Sequence, residues 1–266
     1  MRISNTILNK SGFVLGGVII LLASFWYGFN NGLMPKEASV EAGLIDSLFN
    51  SMMVVATVIF LGVQGMLIYS IIRFRHRGEG DDGDGVPLHG DPGLEIFWTA
   101  IPTILVLWLA IYSFNVSQRI AGSDPLIHHN NQNYIEGEPA LALALPGSKP
   151  VGKPLIVKVK AQQFGWSYLY PGAKEEVGEL HMPIGQEVVL RMQSVDVIHG
   201  FWVPDFRVKQ DLIPGQTTEV RFTPIRAGEY TINCTQLCGA YHGVMRSLAV
   251  VQEPKAYQAW IKENVK

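Results

Sequence analysis

Two kinds of hydrophobic spacing divide this chain. Before residue 115 the apolar positions run together; beyond residue 154 they alternate with polar ones in short segments. The first run, Phe13 to Phe29, follows Arg2 and Lys10 and ends near Phe25, Trp26 and Tyr27. A positive start and an apolar middle fit a secretory signal, whereas the run's length and its outer aromatic group fit a retained membrane helix. No small-x-small cleavage site stands near its end, which favours the retained span. Leu48 to Phe74 is nearly charge-free and, at about 1.5 Å per residue, is long enough for a hydrocarbon core about 30 Å thick. Arg73, Arg75 and Arg77 close it and are expected to stay cytoplasmic. After a Gly/Asp loop from Gly78 to Pro92, the next span is Leu94 to Phe114, with Pro102 inside it. These two spans form a hairpin with both outer ends on the far side. A retained first span then puts the N-terminus in the cytoplasm.

The alternating part contains Leu155–Lys160, Glu187–Met192, Thr218–Phe222, Glu229–Asn233 and Ser247–Val251. Turn residues such as Pro171-Gly172, Ile184-Gly185, Pro214-Gly215 and Ala227-Gly228 separate them. Period-two runs punctuated in this way predict a small antiparallel sandwich or barrel. The expected organisation is a signal-like segment or first span over 1–30 and a helical hairpin over 44–115. A linker follows over 116–153, then a β domain over 154–252 and a short, helix-prone tail over 253–266. His128 and His129 fall in the linker and read as solvated. No internal repeat is present.

Composition sharpens this division. Apolar residues make up 48% of the chain and charged ones 17%, with a net charge of −2. That is too apolar for an ordinary soluble protein and too polar for a wholly embedded one. No basic run or basic aromatic patch suits nucleic acid. Both cysteines, Cys234 and Cys238, fall in the stretch that ends at Met245, together with His242 and two glycines, Gly239 and Gly243. Thiolate, imidazole and thioether are soft ligands and select copper or a similar metal. A disulfide is the plain alternative. A one-copper site needs a single cysteine, whereas two thiolates can bridge two metal ions. His199, beside Gly200 at the end of an earlier strand, is the best candidate for the second imidazole.

With these residues assembled, the chain resembles subunit II of the haem–copper cytochrome c oxidases. The motif there is a distant His followed by C-x-E-x-C-G-x-x-H-x-x-M, on a cupredoxin sandwich that follows a two-helix hairpin. His199, Cys234, Cys238, His242 and Met245 stand in register with it. Lys209–Gly215 and Leu94–Pro102 extend the likeness, which covers about residues 44–252. It is strongest among bacterial members, cyanobacterial ones included, which have a similar extra N-terminal hydrophobic segment.

The resemblance implies N-terminal transmembrane helices followed by an all-β cupredoxin-like sandwich. It implies a binuclear copper centre, CuA, held by His199, Cys234, the Gln236 carbonyl, Cys238, His242 and Met245. It further implies an enzyme subunit that does no bond chemistry itself. Electrons would arrive from cytochrome c or an equivalent carrier and pass to haem in subunit I, where oxygen is reduced to water and protons are pumped. Subunits I and III, the carrier and the lipid bilayer are the expected partners. The membrane would be the bacterial plasma membrane or a thylakoid, with the copper domain on the periplasmic or lumenal side.

Two departures accompany the match. The family's usual Glu between the cysteines is Gln236 here. Its carbonyl serves copper equally well, but an amide is a weaker ligand for the magnesium ion at the subunit I boundary. Phe164 stands where many members carry the tryptophan that receives the electron, so Phe164, Trp166 and Tyr168 are all candidates for that role. Asp196 matches a donor-docking position, and Glu95 an entry to a proton path into subunit I. The same motif also suits the CuA subunit of a nitric oxide reductase, and, in another class, a membrane-tethered copper-binding protein.

Overall fold

The computed structural model describes residues 2–75, 90–120 and 153–265. Arg77, His128, His129 and nearly all of the 116–153 connector lie outside the described residues. Two compact units result, Met1–Leu33 with Ser47–Ser113, and Met34–Asp46 with Phe114–Lys266.

The first unit is helical. Helix α1 is Arg2–Phe29, α2 is Val40–Arg73 and α3 is Pro92–Ile120. Helices α2 and α3 are long and apolar enough to cross a membrane, and α2 starts well before the Leu48 expected from hydropathy. Side chains such as Phe60, Met66 and Ile72 on α2 and Phe97, Ile104 and Phe114 on α3 remain exposed. Apolar surface of this extent asks for lipid or protein cover. Asp91 starts α3 as an N-cap, its Oδ1 accepting from the N–H groups of Gly93 and Leu94. Helix α1 packs closely on α2 because its contact residues are small. Ser24 is fully buried, and a Cβ added at Gly28 would lie 2.3 Å from Val54 Cγ2. Small residues are what close helix approach in a membrane requires.

The second unit is a two-sheet β sandwich. Its strands are β1 (Leu155–Gln162), β2 (Gly165–Leu169), β3 (Leu180–Pro183), β4 (Val188–Ser194), β5 (His199–Val203), β6 (Val208–Leu212), β7 (Thr218–Phe222), β8 (Gly228–Cys234) and β9 (Arg246–Gln252). One sheet has the order β2-β1-β4-β7 and the other β3-β9-β8-β5-β6. Strand β1 turns Val157, Val159 and Ala161 inward and Lys158 and Lys160 outward, as its alternation demands. The sandwich is not wholly antiparallel. Strands β1 and β4 pair parallel, as do β3 and β9, because alternation fixes which face is buried and says nothing about a neighbour's direction. The short helix α4, Pro254–Asn264, fills the expected tail. It packs Tyr257 into the core and stacks Trp260 on His181 at 4.0 Å between ring centroids.

The start of α2 belongs to this β unit. Ser39 caps the helix, its Oγ accepting from the Ala42 N–H and donating to the Phe206 carbonyl. Arg207, in a left-handed conformation at φ 55°, donates to Asp46 through Nε and Nη2, each at 2.8 Å, and to the carbonyls of Pro35 and Pro204. Its side chain is almost entirely buried, so removing the carboxylate strands a charge. Asp46→Ala is expected to destabilise the β unit by on the order of 3 kcal/mol. Denaturant unfolding followed by tryptophan fluorescence measures this, and an unchanged midpoint would mean that water replaces the carboxylate.

Candidate metal centre

The β8–β9 hairpin builds the site. Its strands pair from Gly228↔Val251 to Asn233↔Arg246, and the Cys234 N–H donates to the Met245 carbonyl at 3.2 Å. That bond closes the base of the loop. Strand β5 lies against β8, with Phe201 opposite Cys234. Gly200 makes the approach feasible, since a Cβ there would lie 2.3 Å from Thr235 Oγ1 and 3.1 Å from the Gln236 backbone. His199 therefore begins β5, rather than ending an earlier strand as expected. Of the two loop glycines only Gly239 is conformationally required, at φ +133°; a side chain at Gly243 would meet open space.

The donor atoms converge. Cys234 and Cys238 are free thiols with their sulfurs 3.9 Å apart, so they form no disulfide. His199 Nδ1 lies 3.8 Å from Cys234 Sγ, and the Gln236 carbonyl oxygen 3.3 Å from that same sulfur. His242 Nδ1 and Met245 Sδ lie 3.5 and 3.7 Å from Cys238 Sγ. All six sequence-predicted metal residues are thus linked through the two cysteine sulfurs, with His199 and both cysteines mutually within 4.8 Å. His199 is 0% exposed, and both cysteines and Met245 are buried. Burial, with the Cys234 thiol beside it, pushes the Cys238 thiol up to about 11. Two thiols flanked by imidazole and thioether form a donor set suited to copper.

Hard-ion chemistry fits less well. The Gln236 side chain turns its amide N–H to Asp211 Oδ2 at 2.8 Å, presenting a donor where magnesium needs oxygen ligands. The residues present do not form a magnesium site on this chain.

The other candidates separate. Asp196 is engaged with its neighbours through both carboxylate oxygens. Its Oδ1 accepts from His199 Nε2 at 2.9 Å and from the Val197 N–H, and its Oδ2 accepts from the Gln163 N–H, both at 2.7 Å. Partial burial works against its charge, but the Gln163 N–H, the His199 ring and the Val197 N–H outweigh it and hold the carboxyl at about 2. Among the aromatics, Tyr168 is fully buried in the core and Trp166 lies inside, edge-on to His199 and Phe201. Neither presents a face to a donor. Phe164 is half-buried at the rim and meets the ring of Tyr241 edge-on at 5.4 Å. Tyr241, 65% exposed, was not singled out by the sequence. Its place next to His242 was the available signal. Glu95 is exposed in the first turn of α3, in the helical unit.

Residues 24–116 match the family description "Cytochrome C oxidase subunit II, transmembrane domain", and residues 173–253 match "Cytochrome C oxidase subunit II, periplasmic domain". The chain is 41% identical to cytochrome c oxidase subunit 2 of Synechocystis sp., over 99% of this chain and 84% of that one. It is 40% identical to its counterpart in Thermostichus vulcanus, over 93% and 83%. The periplasmic domain of subunit II of cytochrome oxidase from Bradyrhizobium japonicum superposes with a TM-score of 0.40 at 30% identity, covering 41% of this chain and 91% of that structure. The two family matches and the relatives at 41% and 40% identity, together with the two membrane-spanning-type helices, the cupredoxin-like sandwich and the buried thiol–imidazole cluster, lead to one conclusion: the chain belongs to the cytochrome c oxidase subunit II family.

Proposed function

We propose that this chain is the electron-entry subunit of its oxidase and that it holds a binuclear copper centre. The observation that supports this most is the meeting of two free thiols, two imidazole nitrogens, a thioether and a backbone carbonyl around one buried point. Bound there, a copper pair supplies one-electron exchange between a carrier such as cytochrome c and haem in subunit I, where oxygen becomes water and protons are pumped. The chain's own residues keep the ligands still. Cys234 and Cys238 are set by the hairpin, His199 by Asp196, and Trp166 packs behind the His199 ring. Fixed ligands keep the reorganisation accompanying a change of charge small. The exposed loop positions Leu237, Tyr241 and Val244 offer a carrier apolar contact rather than a strong charge. The β unit would face the periplasm or lumen from a bacterial plasma or thylakoid membrane.

Copper-loaded chain should give an electron-spin resonance signal shared over two equivalent coppers, and Cys234→Ser or Cys238→Ser should abolish it. A one-copper blue spectrum would reject the binuclear assignment. Because burial holds the Cys238 thiol protonated up to about 11, copper uptake must release that proton. Apparent affinity should therefore rise about tenfold per pH unit for this thiol across about pH 6 to 8. Competition with a chelator measures it, and a flat profile would remove Cys238 from the ligands. Glu95 is proposed to admit protons to subunit I. Glu95→Ala should slow oxidase turnover with copper content unchanged, and normal turnover would end that assignment.

A further inference from the structure

We propose that Gln163 is a positioning residue that braces the two sides of the metal centre against each other, an inference that rests on the copper function above. Gln163 lies outside the hairpin and outside the sheet that carries the ligands. It sits between β1 and β2, the first two strands of the opposite sheet in chain order. From there it makes two bonds to the site. Its backbone N–H donates to Asp196 Oδ2 at 2.7 Å, and Asp196 Oδ1 in turn accepts from His199 Nε2 at 2.9 Å. Its side-chain amide donates to the carbonyl of Cys238. One residue therefore touches the support of one imidazole ligand and the backbone of one thiol ligand.

A third observation agrees with these bonds: the loop leaves room for this residue. Gly239 follows Cys238, and a Cβ added there would lie 2.7 Å from Gln163 Nε2 and 3.1 Å from the Phe164 ring. The turn residues reach the loop only because position 239 has no side chain. The acceptor on the His199 side is a carboxylate, which meets Nε2 and leaves Nδ1 on the side of Cys234. Polar groups that orient ligands in this way commonly change metal affinity by about 10–100-fold when removed. The backbone tie to Asp196 survives any substitution, so the side-chain tie to Cys238 is the one a mutation isolates. Gln163 is exposed, and shortening it leaves the hydrophobic core untouched.

The test compares full-length chain in detergent with its Gln163→Ala and Gln163→Glu variants. Both variants remove the donor to the Cys238 carbonyl, and Glu does so at nearly constant shape. Copper binding is measured by chelator competition, the spin-resonance hyperfine pattern by spectroscopy, and folding of the metal-free chain by circular dichroism and thermal melting. We expect both variants to melt like the parent, to bind copper roughly tenfold more weakly, and to show an altered hyperfine pattern. Parent-like affinity and spectrum in either folded variant would overturn the brace while leaving the copper function standing. A parent chain that takes up no copper would overturn both.

Discussion

A loop as short as Cys234–Met245 can aim its ligating atoms at one point only if both ends are held. The hairpin holds them, since Asn233 pairs with Arg246 and the next bond, from the Cys234 N–H to the Met245 carbonyl, shuts the base. Everything else about the centre follows from that closure. With the ends fixed, the interior turns donate back on themselves, His242 N–H to the Gly239 carbonyl and Met245 N–H to the His242 carbonyl. The sulfur of Cys238 is left facing that of Cys234. Strand β5 then adds His199 from the side, at the one position where a following glycine lets the loop lie flat on the strand.

Soft ligands also solve a folding problem. A cluster of carboxylates placed this deep would carry a large desolvation cost without its metal. Protonated cysteine and methionine behave as small or flexible apolar side chains, and here Cys234, Cys238 and Met245 belong to the same core cluster as Phe201 and Trp166. The elevated Cys238 thiol is the electrostatic side of the same fact: the burial that packs it in the core also favours its neutral form. Sulfur chemistry and core packing are therefore compatible in one set of residues. The polar ligands that cannot be treated this way are given partners, as His199 is by Asp196.

The cluster of candidate ligands was legible in the sequence because it is local: four of its side chains and the carbonyl lie within one loop, and only His199 comes from elsewhere. The strands that the short apolar–polar runs marked, β1, β4, β7, β8 and β9, were legible too. Strand β3 was not, because all four of its residues are buried and it shows no period of two. Strand β5 buries every residue but Trp202, and β2 is a five-residue run straddling an aromatic stretch that drew a functional reading. The parallel pairings had no local signature, since they join β1 to β4 and β3 to β9 across intervening chain. The early start of α2 was hidden for a related reason. Ser39 and Asp46 look like a polar connector until Phe206 and Arg207 supply their partners from far along the chain.

Asp196 and Gln236 each have contacts that residue type alone does not announce. Both oxygens of Asp196 accept hydrogen bonds from the protein while its side chain stays 30% exposed. Its inward contact sets a ring. At Gln236 the difference from the common glutamate removes a charge beside Asp211. Two carboxylates at the 2.8 Å separation seen here would repel unless a proton or a cation lay between them. The amide replaces that requirement with a hydrogen bond of its own. Its backbone carbonyl keeps its place 3.3 Å from Cys234 Sγ either way. The main-chain contact with Cys234 is therefore independent of which side chain stands at this position, and the side chain decides only what meets Asp211.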